Sequence, residues 1–248
     1  MTGSEDAPIS FQRILNKAAG PSLIAAAVCL IIQLRLLADS PAAIRAVQQS
    51  FLYSLLSSLR DRKLQAIPAI SSNYEIFVSV VIVADLFVML AFGIWYFLLR
   101  EKSPVAALGA FLTGVIALAL QLTMDLSIQS SRISFSGTSY QLVLDVSNNA
   151  FLISTFMLGV SFLFLGYAML KARSLFGSLI SYLASLAGIL LVALVPLPFS
   201  SNTTGFLIIY TSSIVVQVAF FVLTGRKMYL MLAMPKNTVN KQRVIVNS

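Results

Sequence analysis

Apolar residues in this chain come in long unbroken runs separated by short polar punctuation, rather than alternating or recurring on one helix face. A helix needs about 20 mostly apolar residues to cross a hydrocarbon core of about 30 Å. Six segments meet that length: 21 to 38 (PSLIAAAVCLIIQLRLLA), 76 to 99, 104 to 125, 145 to 170, 176 to 197 and 205 to 225. The pattern predicts an all-α polytopic membrane helix bundle with six transmembrane helices, residues 1–248 forming one integral membrane domain. The first segment is interrupted by Gln33 and Arg35. Its basic start also fits a signal peptide, although no convincing small-x-small cleavage site follows and Arg35 falls inside the apolar part.

The connections are as informative as the runs. "REKSP" (100 to 104) and "KARSLF" (171 to 176) are short basic turns of the kind that join antiparallel helices. Gly93 lies seven residues before Arg100, and Gly166 seven before Arg173, so the two hairpins look like a faint parallel internal repeat. The long connection from Asp39 to Asn73 carries a second pattern. Ser40 stands at a helix N-cap position with Pro41 in the first turn, and Ile44, Val47, Phe51, Leu55 and Leu59 fall on one face. An amphipathic outer helix over about 41–64 is expected, lying on the membrane or covering a cavity. The first ten residues and the tail 236–248 are polar enough to be disordered.

Charge then orients the spans. Arg13, Lys17, Arg100, Lys102, Lys171, Arg173, Arg226, Lys227, Lys236, Lys241 and Arg243 fall on one side of a six-span topology. The other side holds Arg45, Arg60, Arg62, Lys63 and Arg132, four of them in one long loop. Basic residues accumulate on the cytoplasmic side, so both termini are expected there, in a plasma or bacterial inner membrane. A periplasm-active reporter fused after Ser248 is expected to be silent; activity there would overturn the topology. The net charge of +8 therefore reads as topology and as affinity for anionic lipid at the cytoplasmic face, not for nucleic acid. Only 10% of residues are charged against about 25% in soluble domains, and mean hydropathy is +0.89.

The residue inventory excludes several chemistries. There is no histidine and one cysteine, Cys29. Histidine-ligated haem or zinc, serine–histidine catalysis and an intrachain disulfide are ruled out. No lysine lies inside a span to form a retinal Schiff base, so no cofactor is expected, and no enzymatic role.

What remains is polarity inside the membrane. An ionisable side chain at the centre of a span costs about 2.5 to 3.5 kcal/mol on insertion scales and faces a partner or a wet cavity. Asp85 is the deepest, about 13 to 14 Å from the outer end of its span at 1.5 Å per residue. Gln217 is also near the midplane. Arg35, Gln121, Asp145 and Asn149 lie toward the outer half, together with Gln33, Asp125 and Asn148. Asp85, Arg35, Gln121, Gln217, Asp145 and Asn149 are thus the candidate ligand- or ion-binding set. Each has a structural alternative: Arg35 snorkelling to Asp39, Asp125 and Asp145 at headgroup level, Asp85 as one hydrogen bond between helices.

Small residues at every fourth position, Gly177, Ser181 and Ser185 in the fifth span and Gly109, Thr113, Ala117 and Gln121 in the third, predict close helix packing. Trp95, Tyr96 and Tyr167 at the inner ends and Tyr74, Tyr140 and Tyr210 at the outer ends read as interfacial belts. "NTT" at 202–204 matches a glycosylation acceptor but lies close to the membrane. The region "FLFLGYAMLKARSLFGSLISYLASLAGILLVAL", 162 to 194, resembles the later part of a large group of bacterial multi-span proteins defined as a domain of unknown function. That resemblance implies a chain of similar architecture and no residue role. It departs after the basic turn, where the group's Pro-Arg-Trp-like run is replaced by Leu175, Phe176, Gly177 and Ser178. Two functions are expected from these features: a small carrier, channel subunit or sensor with an outward-facing polar cavity, or a non-catalytic accessory subunit of a larger membrane complex. The first allows a homo-oligomer; the second requires a membrane partner protein.

Overall fold

A computed structural model describes residues 7–39, 71–134, 138–197 and 203–233. The described residues form seven helices: α1 (Ala7–Asp39), α2 (Ser71–Leu99), α3 (Pro104–Ser134), α4 (Thr138–Lys171), α5 (Arg173–Phe176), α6 (Ser178–Leu194) and α7 (Thr203–Ala233). Within them, Ser79–Leu99, Pro104–Met124, Ala150–Lys171 and Ile208–Leu230 are long and apolar enough to cross a membrane. Ala18–Ile32 and Ser178–Leu194 are shorter apolar helices. The expected outer helix over 41–64 and the tail 236–248 lie outside the described residues.

Helix limits differ from the apolar runs in a consistent direction. α1 begins at Ala7, inside the stretch expected to be disordered, and carries Pro21 in its interior. Proline there is tolerated because neighbouring helices and local adjustment re-satisfy the freed carbonyl. α3 continues past its apolar part to Ser134, α4 starts at Thr138 rather than 145, and α7 runs on to Ala233. Once a helix is nucleated and packed, each further residue adds a backbone hydrogen bond whether or not its side chain is apolar.

Each long helix packs mainly against two others, in the cyclic order α1, α2, α3, α4, α6, α7 and back to α1. From α2 to α7 the order follows from short connections that make sequential helices antiparallel neighbours, whereas α1 reaches α2 across a longer segment and closes the ring on α7. α2 turns into α3 through residues 100–103, where Lys102 and Ser103 both donate to the Leu99 carbonyl. Pro104 then opens α3, where a missing N–H costs nothing. α4 turns into α6 through α5 and Gly177, which has φ +80°. A Cβ at Gly177 would meet no atom, so this glycine supplies a left-handed backbone and not a packing surface, contrary to its place in the small-residue stripe. We call the end bearing these two turns the basic end.

The outward surface explains the continuous hydropathy. Val83, Leu86 and Leu90 on α2, Leu108, Leu112 and Ile116 on α3, and Leu179, Tyr182, Leu186 and Ile189 on α6 are all exposed at helical spacing. Each helix therefore shows an apolar stripe outward as well as inward, an arrangement suited to lipid and costly in water. Inside, the helices approach through small residues. Gly159 and Gly188 face each other across α4 and α6, and Gly166 faces Ser181 and Ser185. Gly20 and Gly225 do the same across α1 and α7. Ser161 of α4 donates a 2.6 Å hydrogen bond to the Ala110 carbonyl of α3, a cross-helix tie worth about 0.6 kcal/mol on average in membranes.

Candidate functional site

The middle of the ring is filled by five aromatic side chains from three helices: Phe92 and Trp95 of α2, Phe162 of α4, and Phe220 and Phe221 of α7, each at most 1% exposed. Phe162 contacts Phe92 (5.7 Å between centroids) and Phe220 (5.7 Å), both edge-on, and also Phe221 (6.2 Å). Trp95 packs on Phe92 edge-on at 5.3 Å, on Phe220 at 5.3 Å, and stacks on Phe221 at 6.2 Å. Aromatic pairs at these separations prefer such edge-to-face and offset arrangements. The five rings make a plug through which α2, α4 and α7 meet. Trp95 is thus a core residue and not the interfacial anchor that its position near the end of a span suggests. Lateral support explains the difference: an anchoring indole needs a wet edge, and here three rings surround it. Tyr167, by contrast, is 52% exposed, with the Lys171 ammonium 5.5 Å from its ring centroid.

On the side of the plug away from the basic end, polar side chains share its faces. Asp85 precedes Phe92 by seven residues, Thr155 precedes Phe162 by seven and Ser213 precedes Phe220 by seven. Seven residues are two helical turns, so each polar residue lies on the same face as its aromatic partner and about 10.5 Å further along the axis. All three are buried, Asp85 at 8% exposure, and Asp85 is not isolated, since it takes part in an interaction within the molecule. Ser154 is buried beside Thr155, and Gln217 one turn before Phe221 is buried at 9%. The hydroxyls of Ser154 and Ser213 donate to their own helices, at the Phe151 and Tyr210 carbonyls. Their oxygens keep lone pairs for another donor.

Of the residues singled out in the sequence, Asp85 and Gln217 are therefore both interior and both above the plug. Gln121 is half-buried on α3, one turn beyond the fully buried Ala117. Arg35 is exposed near the end of α1. Asp145 and Asn149 fall on α4, where their side chains lie outside the described ones, as do those of Gln33 and Asp125. Thr155 and Ser213 were missed, because single hydroxyl residues are common in transmembrane helices. The signal that could have found them is the shared seven-residue spacing to a phenylalanine. Among the described residues, no group of three acidic or cysteine side chains is arranged to hold a metal ion.

The described residues form an all-helical bundle in which four helices are long and apolar enough to cross a membrane. Comparison with protein-family models, with curated proteins and with solved structures found no match to this chain.

Proposed function

We propose that the chain is a six-span protein with both termini cytoplasmic, acting as a small carrier, channel subunit or sensor. Its polar cavity opens to the outer face, has Asp85 and Gln217 in its wall, and is floored by the aromatic plug. In this reading Ala18–Ile32 and Ser178–Leu194 cross with the four longer helices. At 1.5 Å per residue, α6 is about 25 Å long, near the lower limit for a span. The basic end then faces the cytoplasm, as the distribution of Lys and Arg requires.

One observation carries the proposal: buried polar residues on α2, α4 and α7 share a level, two turns outward from a continuous aromatic floor. A carboxylate with hydroxyl and amide neighbours is suited to a cation, a proton or a polar solute. Hydrogen-bonded helix glue alone would not need three helices to place polar groups in the same register. The accessory-subunit reading relied on small-residue faces for docking. Gly20, Gly159, Gly166, Ser181, Ser185, Gly188 and Gly225 are instead spent on contacts within the chain.

Cysteine accessibility tests the cavity. In a Cys29→Ala background, single cysteines at Gln217 and Asp85, which keep partial exposure, are expected to react with a membrane-impermeant thiol reagent added outside. Ala168→Cys, fully buried on the basic side of the plug, is expected to stay unlabelled. If the first two react only after denaturation, Asp85 is sealed in a helix contact and the proposal falls.

A further inference from the structure

α3 and α4 run antiparallel, and three contacts fix their register. A Cβ at Gly109 would lie 3.2 Å from the Phe164 ring, one at Gly114 would lie 2.7 Å from the Ser161 hydroxyl, and that hydroxyl donates to the Ala110 carbonyl at 2.6 Å. Carried seven residues toward the basic end from the pairing of Gly109 with Phe164, this register sets Lys102 level with Lys171. Lys171 follows Phe164 by two helical turns, so it shares that face about 10.5 Å further along α4. Lys102 lies in the turn just before Pro104, where its backbone N–H donates to the Leu99 carbonyl. Both lysines are exposed. Packed helices lie about 8–10 Å apart, a gap across which two flexible four-carbon side chains can bring their ammonium groups to one anion.

The seam between the two helices is apolar on its outward side. Val105, at 81% exposure the barest large apolar side chain among the described residues, flanks it on α3 with Leu108, and Phe164 and Tyr167 flank it on α4. The Lys171 ammonium stays beside this strip, over the Tyr167 ring. α3 and α4 both contain segments long and apolar enough to cross a membrane. The strip then faces hydrocarbon, and the lysines at its end reach the headgroup layer. Arg100, Lys102, Lys171 and Arg173 of the two adjacent turns outnumber the one acid there, Glu101. Cations at the end of an apolar strip match a phospholipid, with its charge at one end and its acyl chains below. The other basic pair at this end, Arg226 and Lys227, does not repeat the arrangement. They are consecutive on α7, so they diverge by about 100° around one helix and cannot close on a group from two sides.

We propose that the basic end of the α3–α4 seam holds one anionic phospholipid, its phosphate between Lys102 and Lys171 and an acyl chain along Val105, Leu108 and Tyr167. Basic pockets between transmembrane helices bind anionic headgroups in this way. Net positive charge draws anionic lipid to the whole surface, whereas the seam gives one lipid a defined position. The site needs only that α3 and α4 cross the membrane; it is independent of the outer cavity and of a carrier, channel or sensor role.

Native mass spectrometry of the full-length protein in detergent, with equal amounts of phosphatidylglycerol and phosphatidylcholine, tests the site. The wild type is expected to retain one phosphatidylglycerol under conditions that strip phosphatidylcholine. Lys102→Gln with Lys171→Gln is expected to bind phosphatidylglycerol about tenfold or more weakly. Arg226→Gln with Lys227→Gln removes the same charge and is expected to bind it as the wild type does. Inorganic phosphate is expected not to displace the lipid, because it cannot use the apolar strip. Equal retention of the two lipids by the wild type would overturn the proposal, and that result needs no variant to fold. Equal weakening in the two double variants would also overturn it, by reducing the effect to overall charge, as would displacement by phosphate.

Discussion

Phe162→Ala is expected to be the most damaging single truncation in the bundle interior. Phe162 is fully buried and joins α4 to both α2 and α7 through its contacts with Phe92, Phe220 and Phe221. In water-soluble cores, Phe→Ala costs about 3–5 kcal/mol, part of it lost transfer free energy and part the residual cavity. Lipid tails are as apolar as the ring, so the transfer part shrinks, while the lost dispersion contacts and two or three aromatic pairings remain. A loss of about 3 kcal/mol follows, equivalent to about 6–12 °C in melting temperature for a chain of this size. Phe162→Leu, which refills most of the space, is expected to lose less than half of that. The melt can be followed through Trp95, whose ring touches the same cluster. The same substitution tests the plug as a barrier: an Ala168→Cys thiol, protected in the parent, is expected to become reactive to reagent added outside. A melting temperature within 2 °C of wild type together with an unreactive thiol would mean that the ring neither holds the helices together nor seals them.

The bundle was legible in the sequence to the extent that lipid dictates it. A membrane demands uninterrupted apolar length, so the middles of α2, α3, α4, α6 and α7 stand out at once. The polar end of α3 does not, because residues 126–134 are helical without being apolar. Interior and exterior faces were not legible from hydropathy. In α2, Leu86 and Leu90 face outward while Val88 and Phe92 are buried, and no difference in polarity separates them. Asp85 was visible because a carboxylate has few acceptable places in a span. Trp95 was misread because an aromatic near the end of a span serves equally as a belt residue or a core residue, and only its neighbours on α7 decide. Those neighbours are more than 120 residues away in the chain.

The two look-alike hairpins provide the sharpest contrast, and with it the second large effect. Gly93 and Gly166 occupy the same position relative to their basic turns, yet a Cβ at Gly93 would meet only the Phe111 ring edge at 4.0 Å. At Gly166 it would run into Ser185 Oγ, the Ser185 nitrogen at 2.9 Å and the Ser181 carbonyl oxygen at 3.0 Å. A hydroxyl can rotate away; the backbone of α6 cannot. Gly166→Ala must therefore push α4 and α6 apart along a crossing that Gly159 and Gly188 also hold at backbone distance. Overpacking of a rigid contact costs about 1–3 kcal/mol, and the upper part of that range applies where backbone meets backbone. The expected drop is about 4–12 °C in melting temperature. Gly93→Ala meets no obstacle and gains up to about 1 kcal/mol of helix propensity, so it is expected to leave the melt unchanged or raise it. Equal responses at the two positions would show that α4 and α6 do not cross where described. Opposite responses would show that the shared spacing of the hairpins reflects a common turn and not a common packing role. The close approach of α4 to α6 helps fix Phe162 at the centre of the plug, so Gly166→Ala is also expected to raise the reactivity of the Ala168→Cys thiol.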